Sequence, residues 1–264
     1  MPGYRLTLEY DGTSFSGWQV QPTRRTVAGE LSAALATLDG TAPRITAAGR
    51  TDAGAHAHGQ VAGVTLTRSW DPVRLRAAAN SVLPDDVAVV DAAVEVDGFD
   101  ARRDAVDRVY KYVVVSRQVR APVTQRYSWT VRGPLDTNAM RDAAGMLAGR
   151  RDFAALGGAT HPQGDTVRTV HEASVERSLF PAGRGGPSID ALIITVRADA
   201  FLRGMMRAIA GALVKVGQRR ATPAWLADVL ARTERRSAEV TLAPARGLHQ
   251  WAVTYGTRTV ARTA

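Results

Sequence analysis

The order of elements constrains this chain more than any single residue does. Tyr4-Arg5-Leu6-Thr7-Leu8-Glu9-Tyr10 alternates apolar and polar side chains, the period-two pattern of a half-buried strand. A loop rich in glycine and serine, DGTSFSGWQVQPTRR, follows it. Thr26 then stands as an N-cap before Val27, Leu31, Leu35 and Leu38, which recur on one face of a helix that Asp39-Gly40 stops. A short strand is expected near 44–48 and a returning strand over 61–67. Asp71-Pro72 places cap and proline in the order that opens a helix, here to about Val82, and 87–96 reads as a strand. Strand, helix, strand, strand, helix, strand is the split β-α-β, ferredoxin-like order.

The second half repeats that order without repeating its residues. A strand is expected over 105–116, with Val106, Arg108, Tyr110, Tyr112 and Val114 on one side. Asp136 caps a helix carrying Met140, Ala144 and Leu147 and ended by Gly149. Strands over 166–178 and 188–198 are joined by LFPAGRGGP. The most apolar helix is expected over 201–216, closed by Gly217 at the position after its end. Thr222-Pro223 opens another helix to about Thr233, and 249–255 is a last strand. The expected fold is therefore α+β: two ferredoxin-like βαββαβ halves, 1–104 and 105–264, with joined antiparallel or mixed sheets. Such a junction leaves a central cleft, where ligands commonly bind.

Composition narrows the chemistry. With 45% hydrophobic and 22% charged residues the chain is that of a folded protein, and no window of about 18 apolar residues is present to span a membrane. No signal-peptide pattern opens it, so the expected location is the cytoplasm. Cysteine is absent, which removes disulfides, thiol nucleophiles and thiolate zinc sites. The formal charge is +9, and Lys111 and Lys215 are the only lysines. GC-rich coding favours arginine in general. The excess of positive charge goes further and favours a polyanionic partner, since guanidinium groups pair with phosphate and stack on bases.

One loop concentrates the reactive groups. GRTDAGAHAHGQ, residues 49–60, holds an arginine, an aspartate, two histidines and three glycines between two strands. Asp52 before Ala53-Gly54 is ordinary turn chemistry on its own. Arg50 changes that reading, because it can pair with the carboxylate or with a phosphate. Gly49, Gly54 and Gly59 allow sharp turns and a close approach of backbone to ligand. A carboxylate kept ionised by a cation is a competent nucleophile or base. His56 and His58 lack a third ligand at sensible spacing, so capping or sheet-edge roles are favoured over a metal site. No phosphate-binding loop, dinucleotide fingerprint, nucleophile elbow or His-Glu-x-x-His motif occurs, and no cofactor is expected.

GRTDAGAHAHGQV closely resembles the signature loop of the TruA-type tRNA pseudouridine synthases. SGWQVQPTRRTVAGELSAAL, NSVLPDDVAVVDAAVEVDGFDARRDAVDRVYKY, FLRGMMRAIAGALVKVG and APARGL resemble further segments of that family, so the likeness runs from about Tyr10 to Tyr255. Ala55 stands where valine is usual, Ser16 and Gly204 replace common histidine or aromatic residues, and GLHQWAV is polar and aromatic where the family is aliphatic. The resemblance implies a cofactor-independent isomerase that converts uridine to pseudouridine at positions 38, 39 and 40 of the tRNA anticodon stem-loop. It implies Asp52 as nucleophile, Arg207 as the ion-pair partner of Asp52, Arg50 as a group that helps extrude the nucleotide or binds its phosphate, and Tyr110 against the target base. It also implies a homodimer with tRNA lying across both subunits.

Each assignment has a plainer counterpart. Tyr110 reads equally as a core tyrosine beside Tyr112, and Arg203 with Arg207 as one solvated basic helix face. For the whole chain, the competing functions are a non-catalytic basic RNA-binding module and a carboxylate-pair glycoside or nucleoside hydrolase. An aromatic content of 6% weighs against the first, and the lack of a second acid in the Asp52 loop against the second.

Overall fold

The computed structural model describes residues 1–159, 164–181, 188–232 and 239–256. They form two compact units, one from 1–107 with 250–256 and one from the described residues of 108–249. The sequence expectation divided the chain once, at 104/105. The structure instead returns the end of the last strand to the first unit.

In the first unit the elements run β1 (Gly3–Tyr10), α1 (Val27–Asp39), β2 (Ile45–Ala47), β3 (His56–Thr65), α2 (Pro72–Val82) and β4 (Val87–Glu95). β1 lies between β3 and β4, and β2 flanks β3, all antiparallel. This is the ferredoxin-like strand order 4-1-3-2. The helix signals hold at atomic detail. The Thr26 side chain accepts from Gly29 N–H, Gly40 ends α1 in the left-handed conformation (φ 82°), and Asp71 accepts from Arg74 N–H at the start of α2. Val27, Leu31, Leu35, Leu75 and Ala79 bury their side chains with Tyr4, Leu6 and Leu8 of β1. Fully burying one such aliphatic side chain contributes about 1.5–3 kcal/mol, so this face carries much of the unit's stability. β3 begins five residues earlier than expected, which places His56 and His58 inside the strand.

In the second unit β5 (Ala105–Ser116, from Arg108 onward), β9 (Ser188–Ala198), β8 (Val167–Pro181) and β7 (Gly149–Asp152) pair antiparallel in that order, and β6 (Trp129–Val131) adds to β5 in parallel. The expected LFPAGRGGP link lies, over 182–187, outside the described residues. The helices are α3 (Thr137–Gly145), α4 (Met205–Gly217) and α5 (Pro223–Leu230), and the chain closes with β10 (Leu248–Tyr255). β6 and β7 were not anticipated, because three or four residues cannot display a period. Several helix ends also differ from expectation. α3 stops before Gly149, which instead opens β7 with φ 102°. α4 starts at Met205, after a left-handed Gly204. Gly217 is its last helical residue rather than a left-handed cap, and Met140 Sδ and Cγ fill the space where a side chain would stand.

Candidate active site

The loop between β2 and β3 is clamped from three sides. At its start, the buried Gln60 side chain donates from Nε2 to the Gly49 carbonyl at 2.9 Å. In the middle, Thr51 is buried: its hydroxyl and the Tyr10 hydroxyl lie 2.8 Å apart, and its carbonyl accepts from Trp18 N–H at 3.1 Å. At its end, Gly54 N–H donates to the Phe15 carbonyl at 3.3 Å. Asp52 projects, half-buried, between these anchors. The DGTSFSGW segment therefore acts as the wall against which the loop is set. Gly17 makes the crossing at φ 92°, and a Cβ there would stand 2.7 Å from the Thr51 carbonyl.

Ala55 N–H donates to the Asp52 carbonyl at 3.1 Å, with Gly54 at φ 79° in the third position, so the turn is closed by backbone. Of the three glycines expected to take sharp turns, only Gly54 is left-handed. Gly59 lies in β3, where the Trp251 carbonyl stands 2.5 Å from where its Cβ would be, a close strand approach rather than a ligand contact. Arg50 is exposed and, among the described residues, makes no side-chain ion pair, so its pairing with Asp52 is not formed.

Both histidines are engaged by neighbours within the first unit. His56 is buried, its Nδ1 accepting from Gly12 N–H at 3.1 Å and standing 3.3 Å from Asp11 Oδ1. The His58 ring packs on Trp251, centroids 4.6 Å apart. The described residues contain no cluster of three or more metal-ligating side chains.

Arg25 braces the wall segment. It makes a bidentate pair with Asp86 at 2.6 and 2.8 Å, bonds Glu30 at 2.7 Å and lies 4.2 Å over the Phe15 ring. The Asp86 hydrogen bonds, then Glu30, raise its already high pKa further against the opposing effect of burial. Arg25, Gly12, Gly17 and the Tyr10 hydroxyl support the loop without belonging to its motif. The density of small residues in DGTSFSGW could have signalled Gly12 and Gly17, while Tyr10 and Arg25 lie outside it and act through partners 41 and 61 residues away.

Tyr110 and Arg207 belong to the second unit. The Tyr110 ring is buried on β5 and meets Phe201 edge-on, centroids 4.6 Å apart. Tyr112, two residues on, is fully buried, and its hydroxyl donates to the Pro244 carbonyl at 2.7 Å. Burial pushes the Tyr112 phenol well above its ordinary pKa, against the opposing charges of Arg207 and Arg246, so it stays a neutral donor. The two tyrosines of YKY thus have separate surroundings.

α4 has no solvated basic face. Every residue from Met205 to Gly217 is buried except Arg207 and Lys215, which are partly so. Arg203 precedes the helix and exchanges two backbone hydrogen bonds with Gly158. Arg207 Nε donates to the Ala243 carbonyl at 2.7 Å, while the Arg207 carbonyl accepts from Ala243 N–H at 3.0 Å. This reciprocal pair fixes the root of the guanidinium.

The family profile described as tRNA pseudouridine synthase matches residues 7–102 and 143–256, a span that includes the clamped loop and α4. The chain belongs to the tRNA pseudouridine synthase family. Relatives of the same family agree over almost the whole length. The tRNA pseudouridine synthase A of Myxococcus xanthus is 42% identical over 248 residues, covering 94% of this chain and 90% of the relative. That of Moorella thermoacetica is 43% identical over 251 residues, covering 94% and 97%, and that of Brevibacillus brevis is 41% identical over 256 residues, covering 97% and 100%. No helix among the described residues is long and apolar enough to cross a membrane.

Proposed function

We propose that this chain isomerises uridine to pseudouridine in tRNA, at positions 38 to 40 of the anticodon stem-loop, with Asp52 as the catalytic carboxylate. The observation that carries this reading is the loop itself. Its backbone is clamped at Gly49, Thr51 and Gly54, so that a half-buried aspartate is presented from a rigid frame. In the reaction the bond from ribose C1′ to N1 breaks, the uracil turns, C1′ bonds to C5, the C5 proton leaves to solvent, and N1 takes up a proton, so that the product is an isomer of the substrate. Asp52 adds to the sugar or the base, or removes a ribose proton. All three routes need an ionised carboxylate beside an extruded nucleotide.

On the family resemblance, Arg207 is the counter-cation of Asp52, Tyr110 contacts the target base, and Arg50, exposed on the same loop, binds phosphate or helps extrude the nucleotide. The enzyme works as a cytoplasmic homodimer and needs no cofactor.

The test uses unmodified tRNA carrying tritium at uridine C5. Wild type releases the label. Asp52→Asn and Asp52→Ala release none above background, a loss of at least about 10³-fold, while both still bind tRNA. Turnover in Asp52→Ala overturns the assignment. Binding without release by the wild type returns the chain to a plain RNA-binding module.

A further inference from the structure

We infer that Gln60 is a positioning residue for the Asp52 loop, and that Gln250, in β10, sets the orientation in which Gln60 works. The inference rests on the reading of Asp52 as the reacting group.

The side chain of Gln60 is wholly buried and has two ends with opposite demands. Its Oε1 faces the Val61 N–H at 3.0 Å, an obligatory donor that fixes this end as the oxygen. Its Nε2 must then face the other way, where it donates to the Gly49 carbonyl, three residues before Asp52. Reversed, the amide would set oxygen against oxygen at Gly49 and leave the Val61 donor facing an NH₂ group. Gln250, also wholly buried, donates from Nε2 to the same Oε1 at 2.9 Å. Two donors on one oxygen hold the amide in the single orientation that can grip the loop.

The arrangement is costly by itself. Gln250 Oε1 is buried without a hydrogen-bond partner among the described residues. A buried unsatisfied acceptor destabilises a fold, and an apolar side chain of the same size would avoid that cost. The glutamine is therefore poorly explained by stability and well explained by what its amide does to Gln60. The neighbouring residues reinforce the geometry: Trp251 packs on His58, two residues before Gln60.

The test compares kcat, KM for tRNA and thermal midpoint for Gln60→Leu, Gln250→Leu, the double variant and Asp52→Ala. For Gln60→Leu, kcat falls about 100-fold, and for Gln250→Leu about tenfold, the scale expected when a reacting group is displaced by about 1 Å. KM stays within about twofold of wild type in both. Gln250→Leu keeps or raises the thermal midpoint. The double variant turns over like Gln60→Leu alone, because Gln250 acts only through Gln60. Wild-type kcat in Gln250→Leu, a change confined to KM or to the midpoint, or full additivity in the double variant overturns the inference. Should Gln60→Leu not fold, the Gln250→Leu result decides alone. Activity in Asp52→Ala sinks the underlying reading instead, so the two failures are distinguishable.

Discussion

The unit built from 1–107 and 250–264 carries 12 Lys and Arg against 14 Asp and Glu, a net charge of −2, whereas 108–249 carries 22 against 11, a net of +11. The whole basic excess of the chain thus belongs to the unit that does not hold the aspartate. Both units pair arginines with carboxylates, Arg177, Arg197, Arg219 and Arg232 in the second with Asp190, Glu172, Asp136 and Glu239, but the second holds twice as many basic residues as acids and leaves more of them without an acid to neutralise them. In the first unit Arg25 is spent on Asp86 and Glu30, and Arg5 faces Glu95 at 3.4 Å. In the second, Arg141, Arg151 and Arg246 donate to the backbone carbonyls of Val175, Ala148 and Ser128. A carbonyl positions a guanidinium without cancelling its charge. On the proposed function, the net charge of the second unit is expected to supply the long-range attraction of RNA, and the first unit the fixed geometry of the Asp52 loop.

The largest expected effect tests that division directly. Arg120, Arg132 and Arg150 are exposed in the second unit, and Arg44, Arg74 and Arg103 are exposed in the first. Replacing the first trio by glutamine weakens tRNA binding about tenfold or more near 0.1 M salt. It also flattens the fall of log affinity with log salt, by up to about one for each phosphate no longer neutralised. Replacing the second trio changes affinity less than about threefold. Filter binding across a salt series measures both, and equal losses would erase the distinction between the units.

A smaller effect separates two residues within the second unit. Tyr112→Phe leaves the Pro244 carbonyl without its donor and costs about 1–2 kcal/mol of stability, read as a lower urea midpoint. Tyr110→Phe keeps the ring that meets Phe201 edge-on, and a fall in its kcat larger than the fall in its midpoint accounts for is the result expected if Tyr110 contacts the target base as proposed. If the two variants unfold alike, the neighbouring tyrosines share one role.

What could be read in the sequence follows from the range of the forces involved. Caps and periods are local, so Thr26, Gly40 and Asp71 announced their helices. The four-strand order of the first unit followed from helix and strand alternation. Contacts distant in sequence were not legible. Gly12 N–H meets His56 across 44 residues, and Gln250 meets Gln60 across 190. The same holds for Arg203, whose spacing from Arg207 fits a helix face, although Gly204 in the left-handed conformation starts the helix after it. The motif showed where Asp52 stands, and only the fold shows what holds it there.

The smallest effect compares two carboxylates with lowered pKa values. Burial alone would raise that of Asp39, but hydrogen bonds from Thr67 N–H, Arg68 N–H and the Thr67 hydroxyl, with the Arg68 charge, outweigh it. Asp136 is lowered first by the Ala139 N–H it caps and then by Arg219, which is itself 82% exposed. A depressed carboxylate contributes stability that is complete above its unfolded value, near 3.9, and disappears as pH falls through the folded value. Asp39→Asn and Asp136→Asn are therefore both less stable than wild type at pH 7, and both differences shrink as the pH drops below about 4. Salt distinguishes them. At 1 M salt the Asp39 difference persists, because backbone donors hold it, while the Arg219 share of the Asp136 difference is screened away. Equal salt sensitivity would mean that the first unit relies on exposed charge as much as the second does.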